Sequence, residues 1–346
     1  MATQLGITDF LKTLPERCMF DVRTPAEYVK GHIPAALNLP LFSNEERVVI
    51  GTIYKQSSPE KAMLKGLEFV GPKMRYFVET AAEMADGKTM AVHCWRGGKR
   101  SQSMAWLLNM SGHDVVTLRG GYKTYRNYVL RQFAERPLKI VVLGGRTGCG
   151  KTRILHALRE AGEQVIDLEG IANHKGSAFG WIGEQHQPTV EHFENLLFEA
   201  FRQIDPNRRV WVENESKGVG RCYVPDGFWM QMKNAPLINI EFPFAERLDH
   251  LVEVYCNESV EDLFTSFQKI KKRLGGQNLK EAEAALHERD FKTAGAIALR
   301  YYDKTYQYNL EKSKAPEIHM LPLEKIEPTD NARQLIDFCQ QHDIHL

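Results

Sequence analysis

Two stretches of this chain carry residue types that can do chemistry. The first is Cys94-Trp95-Arg96-Gly97-Gly98-Lys99-Arg100, a cysteine followed by paired glycines and three cations. A thiolate, not a thiol, is the nucleophile. Backbone N–H groups at a helix start, together with Arg96, Lys99 and Arg100, favour that ionised form, and Gly97 and Gly98 let the loop curl around an anion. The second stretch is GGRTGCGKT, residues 144–152, which holds G-x-x-x-x-G-K-[ST] as Gly145, Gly150, Lys151 and Thr152. Here Gly145, Gly148 and Gly150 let backbone N–H groups converge on phosphate oxygens. Lys151 reaches the outer phosphates, and Thr152 offers a hydroxyl to a metal such as magnesium. The loop does not say which phosphate compound it holds. A buried, inert thiol is the ordinary alternative for any cysteine. It suits Cys18 and Cys339, which sit in apolar surroundings, better than Cys94. Cys149 occupies a position where a small residue suffices and is assigned no chemistry.

Each stretch needs a strand before it and a helix after it. Residues 89–93 (TMAVH) form the apolar run that delivers Cys94, and Met104, Ala105, Leu107 and Leu108 give the following helix an apolar face. Residues 140–143 (IVVL) play the same part for the phosphate loop, with Ile154, Leu155, Ala157 and Leu158 behind it. Further strands are expected at 18–22, 114–118, 164–170, 209–216 and 235–241. Helices are expected from Pro25, with Thr24 and Glu27 as a capping box, over 60–85 with a break at Gly71-Pro72, and over 189–204 behind Thr189. Helical patterns at 244–255, 259–274 and 279–310 close the chain. Alternating strands and helices predict parallel α/β sheets. At 346 residues, two domains are expected. Pro137 marks the boundary, giving 1–136 with the reactive cysteine and 137–346 with the phosphate loop and C-terminal helices.

Ligands of such sheets lie beyond the carboxyl ends of the strands. Asp167 and Glu169, with His174, Lys175 and Ser177, should therefore face the phosphate loop. Glu213 and Glu215, at the end of an apolar run and two apart, are expected on one face as metal or substrate carboxylates. Helix capping, loop solvation and salt bridges are the plainer roles for all of these.

The 45 basic and 44 acidic residues leave a net charge of +1, so any nucleic-acid surface must be a local patch. Two basic clusters qualify. Arg119, Lys123, Arg126 and Arg131 are interleaved with Tyr122, Tyr125 and Tyr128, a composition suited to phosphate contact and base stacking. Lys271, Lys272 and Arg273 form the second, with Arg247 a further cation for phosphate or RNA. A linker helix whose tyrosines pack inward, and a solvated helix end, are the structural alternatives. The six cysteines form no C-x-x-C pair, and no apolar run approaches the length of a membrane span. A cytoplasmic protein with reduced thiols and no membrane partner is expected.

Residues 21–36, DVRTPAEYVKGHIPAA, resemble the N-terminal signature of rhodanese domains, and Cys94 then falls at their sulfur-carrying cysteine. The C-x5-R spacing from Cys94 to Arg100 is one residue longer than the commonest sulfurtransferase loop and resembles the rhodanese-like dual-specificity phosphatases. Trp95 and the glycine pair favour a chalcogen carrier. Over nearly the whole chain, HCWRGGKRS (93–101), GGRTGCGKT (144–152), DLEGIANHKGSAFG (167–180), VWVENES (210–216) and YYDKTY (301–306) resemble the bacterial tRNA 2-selenouridine synthases. That resemblance implies a rhodanese-like domain fused to a P-loop NTPase-like domain. It implies geranylation of a 5-substituted 2-thiouridine at the tRNA wobble position by geranyl diphosphate, then replacement of the S-geranyl group by selenium from selenophosphate. No tightly bound cofactor is implied, and Cys94, Arg100 and Lys151 become the catalytic residues. Three other readings stay open: a Cys-dependent phosphatase or sulfurtransferase fused to a nucleotide-binding domain, a small-molecule kinase tethered to a sulfurtransferase, and a non-catalytic RNA-binding module.

Overall fold

The computed structural model describes residues 2–313 and 315–345. The chain divides into two compact units, Met1–Arg131 and Gln132–Leu346.

The first unit runs β1 (Thr3–Leu5), α1 (Ile7–Thr13), β2 (Arg17–Asp21), α2 (Pro25–Lys30), β3 (Leu37–Asn38), α3 (Asn44–Gln56), α4 (Pro59–Val70), α5 (Met74–Ala85), β4 (Thr89–His93), α6 (Lys99–Met110), β5 (Val115–Leu118) and the start of α7 (Gly121–Glu135). Its five strands form one parallel sheet in the order β1-β5-β4-β2-β3. β4 is the middle strand, and its last four residues are buried, as a strand covered on both faces must be. Phe20, Val92, Phe77, Met104 and Leu108 centre the core. Thr24 and Glu27 form the expected capping box on α2, and the helical pattern over 60–85 breaks at Gly71 as expected. The sequence reading did not anticipate β1, whose three residues are too few to show a period, or α3.

The second unit holds the end of α7, then β6 (Lys139–Gly145), α8 (Lys151–Glu160), β7 (Gln164–Ile166), α9 (Leu168–Ala172), α10 (Val190–Arg202), β8 (Arg209–Glu213), β9 (Gly218–Val219), β10 (Cys222–Tyr223), α11 (Asp226–Lys233), β11 (Leu237–Glu241), α12 (Phe244–Tyr255), α13 (Val260–Leu274), α14 (Gly276–His287), α15 (Phe291–Glu311), β12 (Ile318–Pro322) and α16 (Pro328–Gln341). Its main sheet is parallel, in the order β12-β11-β6-β8-β7, with β9 and β10 as a separate hairpin. The phosphate loop leaves β6, the middle strand. One core lies around Leu143, Leu155, Trp211, Ile238 and Leu335. A second lies among α13, α14 and α15, around Phe267, Leu286 and Ile297.

The strand expected over 209–216 stops at Glu213, leaving Glu215 beyond it, and two further expected elements are corrected. The strand expected over 164–170 stops at Ile166. Asp167 instead caps α9, its Oδ1 accepting from Gly170 N at 2.7 Å. The helix expected over 279–310 is two helices. Arg289 takes a left-handed φ of 58°, and Asp290 starts α15 by accepting from Thr293 N. In both places an Asp side chain competes for backbone N–H groups and starts a helix, which apolar spacing alone does not register. β12 and α16 also went unanticipated.

Candidate functional site

In the first unit, β4 presents Cys94 at the centre of the sheet, and α6 begins five residues later at Lys99. Gly97, at φ 63°, makes the intervening turn possible. A Cβ there would lie 2.6 Å from Leu118 O, so only glycine fits. Tyr122 N and Lys123 N donate to Cys94 O and Trp95 O, both at 2.9 Å, and pin the loop to α7. The Cys94 thiol is buried, with Sγ 3.2 Å from Ser101 Oγ and 4.0 Å from Gly98 O. Arg100 bonds Glu27 through both terminal nitrogens, at 2.7 and 3.2 Å. Burial would lower the Arg100 pKa, but the hydrogen bond and charge of Glu27 raise it. Arg96 and Lys99 stand exposed on the rim, and Trp95 packs beside Tyr122.

Ser101 escaped the sequence reading. It is the hydroxyl in the first turn after the basic run, and that placement was the available signal. Two of the three tyrosines of the first basic cluster are corrected as base-stacking surfaces, while Tyr128 stays half-exposed. Tyr122 and Tyr125 are fully buried, and Tyr122 lies under the Arg23 guanidinium at 3.8 Å. Lys123, Arg126, Arg119 and Arg131 keep part or all of their surface, as do Lys271, Lys272 and Arg273 at the end of α13.

In the second unit the phosphate loop is shaped by Gly145, Gly148 and Gly150. Gly148 and Gly150 adopt φ of 84° and 65°. A Cβ on Gly148 would lie 2.8 Å from Arg247 O. Lys151 Nζ donates to Gly145 O at 3.1 Å. Burial would lower the Lys151 pKa, but nearby charge, that of Glu169 foremost, raises it, so the ammonium is secure. Burial pushes the Cys149 thiol up, which keeps it protonated and inert.

Arg247 is corrected from a phosphate or RNA contact to a brace. It is buried, donates to Asp303 at 2.8 Å through both terminal nitrogens, and donates to Thr147 O at 3.1 Å. Tyr306 OH accepts from Gly145 N at 2.8 Å and donates to Asn239 Oδ1. Asp303, through Arg247, and Tyr306, three apart on one face of α15, thus hold the loop at Thr147 and at Gly145. Their i, i+3 spacing was the sequence signal that was missed. Asp303→Ala leaves Arg247 buried without its counter-charge. It should cost about 3–5 kcal/mol, read as a fall in the midpoint of chemical unfolding.

The four candidate carboxylates gather behind Lys151, but not equivalently. Thr152 Oγ1 donates to Glu169 Oε2 at 2.9 Å. Glu213 accepts from Glu169 N at 3.1 Å, is buried, and its second oxygen meets no partner. Burial and the adjacent Asp167 and Glu169 push its pKa well up, and it sits as a support behind the site. Burial would raise Asp167, but bonds from Gly170 N and His156 hold it low. Burial and the Glu169 charge push Glu215 up to about 8, against the pull of Lys151.

That shift predicts a pH dependence. An acid whose folded pKa exceeds its unfolded value binds its proton more tightly when folded. Stability from Glu215 is therefore full below the unfolded pKa near 4.5 and is lost as pH rises towards about 8. Glu215→Gln should flatten the fall in unfolding free energy across that window, measured by denaturant titrations at several pH values.

Loop and carboxylates open on one cavity of about 690 Å³. Gly148, Gly150, Lys151, Thr152, Asp167, Glu169, Glu215, His174, Lys175 and Ser177 line it, so most of the expected residues converge. Part of the cavity's remaining wall is apolar, with Phe179, Leu251, Leu263, Phe267, Leu286 and Phe291 from the loop after α9 and from α12–α15, while Arg153, His156, Glu184, His250 and Glu253 line it elsewhere. Among the described residues no group of three or more His, Cys, Asp or Glu could hold a metal ion. Among the described residues, no helix is long and apolar enough to cross a membrane.

Comparison with known proteins follows this division. A family model described as the rhodanese-like domain matches residues 8–128, and one described as the tRNA 2-selenouridine synthase AAA domain matches residues 138–321. The tRNA 2-selenouridine synthase of Sulfurovum sp. (strain NBC37-1) is 35% identical, over 85% of this chain and 89% of its own. That of Hydrogenovibrio crunogenus is 33% identical over 96% of both chains. That of Pseudomonas syringae pv. syringae is 35% identical over 88% of this chain and 91% of its own. With both domains matched in order and relatives aligned along most of their length, the chain belongs to the tRNA 2-selenouridine synthase family.

Proposed function

We propose that this protein is a transferase that replaces the 2-thio group of a wobble uridine in tRNA with selenium, in two steps. The observation that carries the reading is the mixed character of the second unit's cavity. A phosphate cradle with a fixed ammonium opens on the same space as an aromatic and aliphatic wall. A nucleotide has a polar base and sugar, whereas a prenyl diphosphate has a charged head and an apolar tail that match both ends. Geranyl diphosphate is the donor of this class that the reading names.

In the first step the thiocarbonyl sulfur attacks C1 of the geranyl group. The S–C bond forms, the C–O bond breaks, diphosphate leaves, and the N3 proton is released. Lys151 and the loop N–H groups stabilise the charge that builds on the leaving oxygen. A magnesium ion fits the donor set, because Thr152 and Glu169 adjoin at the cavity wall and magnesium takes one or two protein ligands besides phosphate and water. Bound there, it would neutralise further charge on the diphosphate.

In the second step selenium from selenophosphate adds at C2 of the pyrimidine. The C–Se bond forms, the C–S bond breaks, geranylthiol departs with a proton, and water takes the phosphoryl group as phosphate. Cys94, in its anion loop with Arg96, Lys99 and Arg100, positions the selenium donor for that attack. No tightly bound cofactor is required, and the reaction belongs in the cytoplasm with tRNA. Arg119, Lys123, Arg126, Arg131, Lys271, Lys272 and Arg273 are the proposed tRNA contacts.

The test is incubation with 2-thiouridine tRNA, geranyl diphosphate and selenophosphate, followed by nucleoside mass spectrometry. S-geranyl-2-thiouridine without selenophosphate, and 2-selenouridine with it, are expected. Unchanged nucleosides would overturn the reading.

A further inference from the structure

The first unit contains a second, larger cavity that the reaction above leaves unused. It is a groove of about 1630 Å³ between the α3–α4 hairpin and α6. Its walls include Val48, Met63, Leu67 and Trp106. These side chains are unusually open for their type: Leu67 is 58% exposed and Trp106 54%. Helix α3 buries none of its residues fully. An amphipathic hairpin that leaves its apolar side open lacks a partner.

The charges around the groove narrow the choice of partner. Arg47, Lys55, Lys99 and Arg100 line it, and among the described residues no carboxylate does, although Glu27 pairs with Arg100 from outside the lining. An apolar trench whose charged lining is cationic matches an apolar chain carried on a polyanion. Lys99 and Arg100 also belong to the Cys94 loop, so the groove begins where that site ends.

We propose that this groove holds the prenyl chain of the S-geranyl tRNA intermediate while selenium is delivered at the Cys94 loop. The inference rests on the two-step reading above. The same ten-carbon chain is then bound twice: as the donor's tail in the second unit, and as the leaving group's tail in the first. The cations hold the RNA phosphates beside it. Selenation would thereby be confined to RNA that has already been prenylated, because unmodified 2-thiouridine has nothing to fill the groove.

The test uses the full chain with Met63→Glu/Leu67→Glu, which places charge at two open positions. An anticodon stem-loop carrying S-geranyl-2-thiouridine is supplied with selenophosphate. The variant should need about 10-fold more RNA, or greater, to reach half-maximal rate. Its geranylation of 2-thiouridine RNA by geranyl diphosphate should match wild type. Wild type should also bind S-geranyl RNA about 10-fold tighter than S-methyl RNA, and the variant should lose that preference. Trp106→Ala should show the same pattern in weaker form, which guards against misfolding of the double variant.

Equal binding of S-methyl and S-geranyl RNA by wild type would overturn the proposal. So would an unchanged selenation profile in the variants, or equal loss of both steps. A wild-type dimer that the double variant converts to monomer would make the groove a self-interface and also overturn it. If wild type makes no S-geranyl product from geranyl diphosphate, the two-step reading fails instead; the pre-geranylated RNA still reports on the groove.

Discussion

Lys151→Ala lowers prenyl transfer by about 100- to 1,000-fold, measured as single-turnover formation of S-geranyl-2-thiouridine. The side chain is a cation inside the cavity's phosphate end that also contacts the loop itself, through Gly145 O at 3.1 Å. Diphosphate gains charge as the C–O bond breaks, and a fixed ammonium at that spot acts on the transition state more than on the bound donor. The loss should therefore fall on the rate constant more than on donor affinity. Lys151→Arg should recover only part of it, because a planar guanidinium does not replace a compact ammonium. Selenation of RNA that already carries the geranyl group should proceed at the wild-type rate, since that step releases no diphosphate. If Lys151→Ala slowed both steps equally, the assignment of the cavity to the prenyl donor would be wrong.

The second large effect runs the other way. Cys94→Ser should reduce selenium incorporation on the order of 10,000-fold while geranylation continues, so S-geranyl-2-thiouridine accumulates. Sulfur and oxygen occupy nearly the same place, and Ser101 Oγ at 3.2 Å and Gly98 O can hydrogen-bond either atom. The change is therefore chemical rather than structural: a serine hydroxyl stays protonated where a thiolate can form. Nucleoside mass spectrometry with and without selenophosphate separates the two steps. Full selenium incorporation by Cys94→Ser would remove the proposed role of Cys94 in selenium delivery. Arg100→Ala should be milder for chemistry and harsher for folding, because Glu27 would lose its partner.

Much of this was legible from residues alone. Glycines at fixed spacings, a lysine and threonine after them, and a cysteine between an apolar run and a basic loop are local features. Their backbone demands are set by neighbours in sequence, so strand–loop–helix context could be read directly. The two parallel sheets followed from alternating periods. Apolar spacing placed the helices well where a cap agreed with it, as at Thr24, Thr189 and Ser259. It failed where an aspartate started a helix inside an apolar run, at Asp167 and Asp290.

What only the tertiary structure decided concerns partners far apart in the chain. Arg247 read as a cation facing phosphate, but Asp303, 56 residues away, turns it into a brace for the loop. Tyr122 and Tyr125 read equally well as stacking platforms or packing residues, and burial chose packing. Four carboxylates looked equivalent as metal or substrate ligands; folding buried Glu213 behind the others and pushed its pKa well up, because burial and two neighbouring carboxylates disfavour its anion. Above all, nothing in the order of residues announced that helices α12 to α15 place an apolar wall beside the phosphate loop. Sequence fixes which groups can bind a phosphate, since that is a property of one loop. What else the ligand must be is set by side chains brought together from a hundred residues of chain, and that is a property of packing.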